Sequence, residues 1–165
     1  TRKKLQRIIN TLYENKEIDV VEAPDWTGIT SFIDAKCPVV IRLHGSDTYF
    51  CHLDNRPVKW VNKFHEKRAL QKATALLSVS RFTADKTNEV FGLQKKFTII
   101  PNGINTELFH QKNKRADKND NVILYFGSLI RKKGLLELPF VFNSIHEKNP
   151  EAQLVLVGNK ADGKR

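Results

Sequence analysis

Two apolar, strand-like segments on either side of a charged stretch constrain the fold of this chain more than any other feature. The first covers residues 97–100 and the second covers 122–126, and each is followed by a turn that contains glycine. Between them, residues 110–121 are polar or charged apart from Ala116. This pattern indicates that one α/β unit ends and a second α/β unit begins.

The same pattern predicts where the units divide. We expect residues 1–103 to form the back part of one Rossmann-like unit, 104–121 to be an interdomain linker, and 122–165 to open a second unit with a strand–helix–strand segment. Asn102 and Gly103 are then candidate hinge or cleft residues, because a polar turn with glycine follows the last strand of the first unit.

Strands and helices alternate along the chain, which is typical of parallel sheets covered by helices on both faces. The predicted strands are 18–22, 38–43, 75–79, 97–100, 122–126 and 153–157, and the predicted helices are 3–15, 28–35, 57–74, 81–91 and 134–148. In the helix over 57–74, Val58, Val61, Phe64, Ala69 and Ala73 are the expected inward positions. Ser80 is the expected N-cap of the helix over 81–91, and Gly92 is expected to end it.

Composition narrows the function classes. The net charge is +10 over 165 residues, which favours acidic partners such as phosphorylated small molecules, nucleic acid or anionic lipid headgroups, or only keeps the protein soluble. The two cysteines, Cys37 and Cys51, lack CxxC spacing, and buried or free thiols in a reducing compartment are expected. The five histidines show no metal-ligand spacing, so we expect no metal site.

His44 is the first candidate site residue. It follows the apolar strand over 38–43 and precedes Gly45, and ligands of parallel sheets bind at the carboxyl ends of the strands. The imidazole could face a cleft as a donor or base, or it could be satisfied by the loop backbone, and the local sequence leaves both readings open.

The second candidate site is the turn over 127–134. Gly127 and Ser128 follow a strand, and Arg131 and Lys133 bring positive charge close to the predicted start of a helix. Backbone N–H groups, a helix N-terminus and cations together favour a diphosphate. A solvated charge run that caps a helix is the alternative interpretation.

A GTPase-like nucleotide site is a remote alternative. Residues 158–164 fit GxxxxGK, but Arg165 stands where a P-loop needs Ser or Thr to hold Mg²⁺. The segment 159–162 also resembles the guanine-reading Asn-Lys-x-Asp motif, although no complete P-loop precedes it.

Taken together, the segments resemble GT-B retaining glycosyltransferases of family 4, the glycosyl transferases group 1 enzymes. The similarity runs from about Ile18 to Gly158. It is carried by Asp25-Trp26, by the strand 39–43 with His44-Gly45, by the helix and strand over 66–80, by Ile100-Pro101-Asn102-Gly103-Ile104-Asn105 with Phe109, by 123–134, and by 154–158.

The resemblance implies transfer of a sugar from a nucleotide-sugar donor to a polysaccharide or lipid-linked acceptor, with retention and without an obligatory metal or cofactor. It implies that His44 lies near the transferred sugar. It further implies that Lys133 neutralises the donor diphosphate and that Gly127 and the following loop approach the same phosphates.

Three departures from the family pattern qualify this expectation. Ser128 stands where the family usually has arginine, so Arg131 is expected to supply that contact. The chain also stops before the E-x7-E motif of the family and lacks its N-terminal glycine-rich loop, so we expect an internal fragment that is inactive alone.

The expected location is cytoplasmic, at the inner face of the membrane if the acceptor is lipid-linked. Apolar surface left on partial sheets predicts a homodimer or domain-swapped assembly. The alternative to an enzyme is a basic module that binds anionic membrane or nucleic acid through residues 1–7 and 110–118.

Overall fold

The computed structural model describes residues 1–110 and 121–159. The chain divides into two compact units, Thr1–Ile104 and Asn105–Arg165, and each is described here by itself. Most of the expected linker over 104–121 lies outside the described residues, so its role stays a prediction.

The first unit contains a four-stranded parallel sheet, as predicted. Strands β1 (Val21–Pro24), β2 (Val39–Leu43), β3 (Ala75–Ser78) and β4 (Thr98–Ile99) lie side by side in that order. Helices α1 (Arg2–Glu14), α2 (Asp47–Leu53), α3 (Trp60–Lys72) and α4 (Arg81–Phe91) accompany the sheet, with a 3₁₀ segment over Trp26–Phe32 after β1. The mixed α/β class with parallel strands is thus confirmed.

The ends of α4 follow from local chemistry and match the prediction. The Ser80 hydroxyl oxygen accepts the Thr83 backbone N–H at 3.1 Å, and Gly92 ends the helix in the left-handed conformation at φ +58°. Both features satisfy backbone groups that a helix end leaves without a partner.

Three elements of the first unit differ from the prediction. The helix expected over 28–35 is instead the 3₁₀ segment over Trp26–Phe32, which contains Thr27 and Gly28 at positive φ. Strand β1 begins at Val21 instead of Ile18, and it includes Pro24, which an edge strand tolerates because one side of its ladder is unpaired. Helix α2 was not predicted. It forms because the Ser46 hydroxyl accepts the Tyr49 N–H at 3.2 Å, a side-chain cap at its start.

Of the inward positions predicted for the helix over 57–74, Ala69 and Ala73 are confirmed, because Ala69 is buried and Ala73 packs against the main core. The prediction was wrong at Val61 and Phe64. Val61 and Phe64 are 41% and 48% exposed, whereas Glu66, Ala69 and Leu70 are buried. The helix turns Glu66 inward because backbone N–H groups of other segments converge on its carboxylate, as described below.

The main core lies between the sheet and the helices. It consists of the buried side chains of Ile41, Leu43, Ala69, Leu70, Leu76 and Phe91. A second cluster, Ile9, Ile33 and Cys37, packs α1 onto the unit. Both cysteines are buried free thiols, as expected from their spacing.

The described part of the second unit contains strands β5 (Val122–Phe126) and β6 (Gln153–Val157), which pair in parallel from Val122 opposite Gln153 to Phe126 opposite Val157. Helix α5 (Leu138–His146) connects them. The helix was expected to begin at residue 134. Instead, Arg131–Lys133 form a short 3₁₀ turn that Gly134 ends at φ +75°, and α5 begins four residues later.

Candidate functional site

The carboxyl end of β2 carries the first candidate site. His44 follows Leu43 directly and its side chain is exposed, so the imidazole does not belong to the core of its unit. Helix α2 starts just beyond it, after Gly45 and Ser46. The exposed ring agrees with the interpretation that His44 faces ligand, while its catalytic role stays a prediction.

The backbone beneath His44 is held by a carboxylate from the neighbouring strand. Asp25 follows β1, is only 3% exposed, and accepts the His44 N–H at 3.1 Å through Oδ1 and the Gly45 N–H at 3.1 Å through Oδ2. Burial raises the pKa of Asp25, and the nearby charge of Glu66 adds to this, while the two N–H groups oppose it. These bonds fix the two residues at which the chain leaves the sheet.

Gly45 is required by this turn. Its φ is +101°, and a Cβ there would lie 2.7 Å from the Phe50 ring. An L-residue would therefore be strained in its backbone and would also collide with α2.

Residues 44–46, which join β2 to α2, are called the His44 loop here. A second buried carboxylate holds the start of α2, at the far end of this loop. Glu66 on α3 is fully buried and accepts the N–H groups of Asp47 and Thr48 at 3.1 Å each and the Thr48 hydroxyl at 2.5 Å. These N–H groups belong to the first turn of α2, where a helix attracts negative charge. The start of α2 is thus already occupied by a carboxylate of the protein and does not offer these groups to a ligand.

Glu66 also ties in the segment that follows Asp25. It accepts the Thr27 N–H at 3.2 Å. Gly28 allows this approach, since a Cβ there would lie 2.2 Å from the backbone carbonyl carbon of His65. Strand β1, the 3₁₀ segment, α3 and the His44 loop therefore meet at two carboxylates.

Asp25 and Glu66 were not among the site residues predicted from the sequence. Asp25 had a usable signal, because it is an acidic residue directly after a strand. Glu66 had none in the periodicity of its helix, because a charged residue at mid-helix normally predicts a solvent-facing position.

Asn102 and Gly103, the expected hinge residues, are exposed and follow β4. A Cβ at Gly103 would meet no atom within 4 Å, so local packing does not require glycine there. Their hinge role stays a prediction.

The four expected diphosphate residues lie together in the turn after β5. Gly127 has φ +152°, and its N–H donates to the Val157 carbonyl at 3.0 Å, while the Leu129 N–H donates to the Asn159 carbonyl at 3.1 Å. The Ser128 carbonyl accepts the Tyr125 hydroxyl at 2.9 Å. Several backbone groups of this turn are therefore already engaged in hydrogen bonds within the second unit.

The cations of this turn remain open to ligand. Arg131 and Lys133 are exposed, and they lie in the 3₁₀ turn rather than at the start of α5. The Lys133 N–H donates to the Ile130 carbonyl at 3.0 Å. Any attraction for phosphate at this point comes mainly from side-chain charge, since the α5 N-terminus lies further along the chain.

A close backbone contact joins this turn to the end of β6. A Cβ at Gly158 would lie 1.7 Å from the Gly127 carbonyl oxygen, so only glycine fits there. The GTPase-like motif that begins at Gly158 continues into residues 160–165, which lie outside the described residues.

Metal binding, membrane insertion and binding through the basic segments can each be compared with the described residues. Among residues 1–110 and 121–159, the structure holds no cluster of His, Cys, Asp and Glu suited to a metal ion. In the same ranges no helix is both long and apolar enough to cross a bilayer. Of the two basic segments, 110–118 lies almost wholly outside the described part, and the Arg2 guanidinium in the other donates to the Ile29 carbonyl.

Comparison with known proteins decides the family. The model of Glycosyltransferase Family 4 matches residues 1–108, which include β1 to β4, Asp25, His44 and Glu66. The chain belongs to this family. The resemblance seen in the sequence motifs is thereby confirmed, and the parallel α/β sheets agree with a Rossmann-like GT-B fold.

Two curated relatives come from Bacillus subtilis (strain 168). The uncharacterized glycosyltransferase YqgM is 26% identical over 156 residues, which is 90% of this chain and 42% of YqgM. TuaC, a glycosyltransferase named for teichuronic acid biosynthesis, is 26% identical over 131 residues, 73% of this chain and 32% of TuaC. The chain thus spans less than half the length of either relative.

Proposed function

We propose that the full-length protein transfers a sugar from a nucleotide-sugar donor to a polysaccharide or lipid-linked acceptor, with retention at the anomeric carbon. Family membership supports the transferase activity, and the name of TuaC supports a glycan acceptor. Donor, acceptor, retention and the hexosyl nature of the group transferred all belong to the proposal.

The observation that carries the proposal is the His44 loop. An exposed imidazole stands at the carboxyl end of a parallel strand, on a backbone that buried carboxylates hold in place. Because the backbone of His44 is already held, only two side-chain rotations need to be ordered before the ring can donate a hydrogen bond to a sugar hydroxyl or accept one from it.

The turn after β5 is the proposed diphosphate site. Arg131 and Lys133 would neutralise the leaving nucleoside diphosphate, so the reaction would need neither metal nor cofactor at this point. Gly127 and Ser128 would allow the phosphates to approach the turn. Arg131 would replace the arginine that the family usually has at position 128.

Calorimetric titration of the full-length protein with nucleoside diphosphates tests the proposal. We expect saturable binding that changes modestly between low and high salt. Steep loss of affinity with salt and no preference among nucleotides would instead support the alternative, a basic module for anionic membrane or nucleic acid, because release of counterions dominates such binding.

Location and assembly are part of the same proposal. A lipid-linked acceptor would place the protein at the cytoplasmic face of the membrane. In the second unit, Phe126 and Phe140 are 83% and 74% exposed, which favours a homodimer or swapped assembly of the isolated chain. Light scattering that finds only a monomer at high concentration would contradict this last point.

A further inference from the structure

The His44 loop is held at both ends by buried carboxylates, and each has a distinct target. Asp25 binds the N–H groups of His44 and Gly45, and Glu66 binds those of Asp47 and Thr48. We infer that Asp25 and Glu66 are positioning residues that fix the direction of the His44 imidazole for sugar transfer. This inference rests on the proposed function.

The link from carboxylate to ring is short. The direction of the His44 Cα–Cβ bond is set by its own backbone, and beyond that bond the ring has only two rotations. Gly45 is the residue of the loop with the greatest backbone freedom, because glycine restricts its φ and ψ angles least. Asp25 therefore holds the backbone of both His44 and Gly45 through two charge-assisted hydrogen bonds.

Glu66 acts further from the ring. It fixes the start of α2 and the Thr27 segment, so the loop cannot move as a whole. Glu66 is also more deeply buried and accepts more donors than Asp25. Loss of Glu66 should consequently cost more stability than loss of Asp25, whereas loss of Asp25 should disturb the imidazole more.

The two variants are thus expected to rank in opposite orders for loss of stability and for loss of turnover. This opposite ranking separates a positioning role from a merely structural one. If both carboxylates only stabilised the fold, the loss of turnover would follow the loss of stability. Positioning instead predicts that the less destabilised variant, Asp25→Asn, loses more turnover.

The experiment uses the full-length protein with Asp25→Asn, Glu66→Gln and the control Glu22→Gln. Glu22 lies on β1, the strand that Asp25 follows, but it is exposed and its carboxylate accepts the Arg42 Nε–H at 2.8 Å. Assays run well below each melting temperature, so that unfolded protein does not contribute. For Asp25→Asn we expect kcat to fall about 10- to 100-fold with the donor KM nearly unchanged, the scale of a small misplacement of a reacting group.

Hydrogen exchange measured by mass spectrometry reads the loop directly. In Asp25→Asn, exchange in peptides covering residues 43–46 should accelerate at least about tenfold, whereas Glu66→Gln should accelerate residues 47–48, and Glu22→Gln neither. Unchanged exchange in Asp25→Asn would overturn the inference. So would faster exchange with a kcat equal to that of Glu22→Gln.

The experiment also gives a result if Asp25→Asn does not fold or if the proposed activity is absent. If Asp25→Asn does not fold, the Glu66→Gln variant tests the inference instead. The inference is overturned if Glu66→Gln keeps a kcat within about twofold of wild type although hydrogen exchange at residues 47–48 is faster. If wild-type protein transfers sugar from no nucleotide-sugar, the proposed function fails, and the exchange at 43–46 alone decides whether Asp25 holds the loop.

Discussion

The two units of this chain build their candidate sites in different ways. In the first unit, the His44 loop rests on a four-stranded sheet with a closed core, and buried carboxylates bind its backbone. In the second unit, the turn over 127–134 rests on two paired strands, and among its described residues only Ala152 is buried. Leu124 and Phe126 of β5 are 61% and 83% exposed.

We expect the two sites to place different demands on the protein, because the first would act on reacting atoms and the second would bind a charged group. A residue that acts on the reacting atoms must be held within a fraction of an ångström, which needs a packed scaffold and satisfied polar groups. A diphosphate carries diffuse charge, and cations on a short turn can attract it with less precision. The comparison predicts large effects on turnover from the first unit and smaller effects on binding from the second.

The largest expected effect is on turnover. His44→Ala in the full-length enzyme should lower kcat by about 10²- to 10⁴-fold, the range for a positioned acid–base or polar group. Because the ring is exposed, the melting temperature should stay within a few degrees of wild type. Steady-state kinetics and calorimetry check both parts, and turnover near wild type would mean that the histidine has no role in the reaction.

The next effect is on stability and tests the contrast in packing. Leu43 is fully buried and Leu124 is 61% exposed, although both are strand leucines. Leu43→Ala should lower the free energy of unfolding of this chain by about 2–5 kcal/mol, because it leaves a cavity in the core. Leu124→Ala should change it by less than about 0.5 kcal/mol. Chemical denaturation of the two variants measures both, and equal losses would contradict the contrast between the units.

A smaller effect concerns donor binding. Lys133→Ala in the full-length protein should weaken binding of a nucleoside diphosphate by about 10- to 100-fold, since a charge-assisted contact is worth roughly 1.5–3 kcal/mol. The matched control Lys132→Ala removes the same charge one residue away and should weaken binding much less. Titration calorimetry compares them, and equal small losses would mean that the Arg131–Lys133 run is only a solvated cationic face.

The smallest effect is a pH dependence of the first unit. Burial raises the pKa of the Asp25 carboxyl in the folded state above its ordinary value in the unfolded chain. Between the pKa of Asp25 in the unfolded chain and its higher pKa in the folded protein, the folded state binds more protons than the unfolded state. The contribution of Asp25 to the free energy of unfolding therefore falls as the pH rises from the lower to the higher pKa. Urea unfolding followed by fluorescence of Trp26 and Trp60 should show this fall in wild type and not in Asp25→Asn. Parallel pH profiles would argue against a raised pKa.

The sequence predicted the framework well because its signals were local. Apolar runs located five strands closely, and the alternation of strands with helices predicted parallel pairing, which β1 to β4 and β5 with β6 confirm. Ser80 and Gly92 marked the ends of α4 because capping depends only on nearby backbone groups. His44 and the 127–134 turn were found because both directly follow strands.

The burial of Glu66 on α3 could not be predicted from local signals, whereas the start of α5 could have been. Glu66 is buried because N–H groups from Thr27, Asp47 and Thr48 converge on it, and these residues lie far from it in sequence. Helix α5 begins at Leu138 because Pro139 lacks a backbone N–H and fits only the first turn of a helix. The sequence therefore held a signal for this start that the prediction of 134–148 did not use.

The sequence by itself determined the family, the α/β class, the order of the strands and the two turns that carry the candidate residues. These depend on residue type and spacing within short segments. Only the tertiary structure decided that Asp25 and Glu66 hold the His44 loop and that the first turn of α2 is already occupied. A buried carboxylate is stable only where donors from several segments meet, and that meeting exists only once the chain has folded.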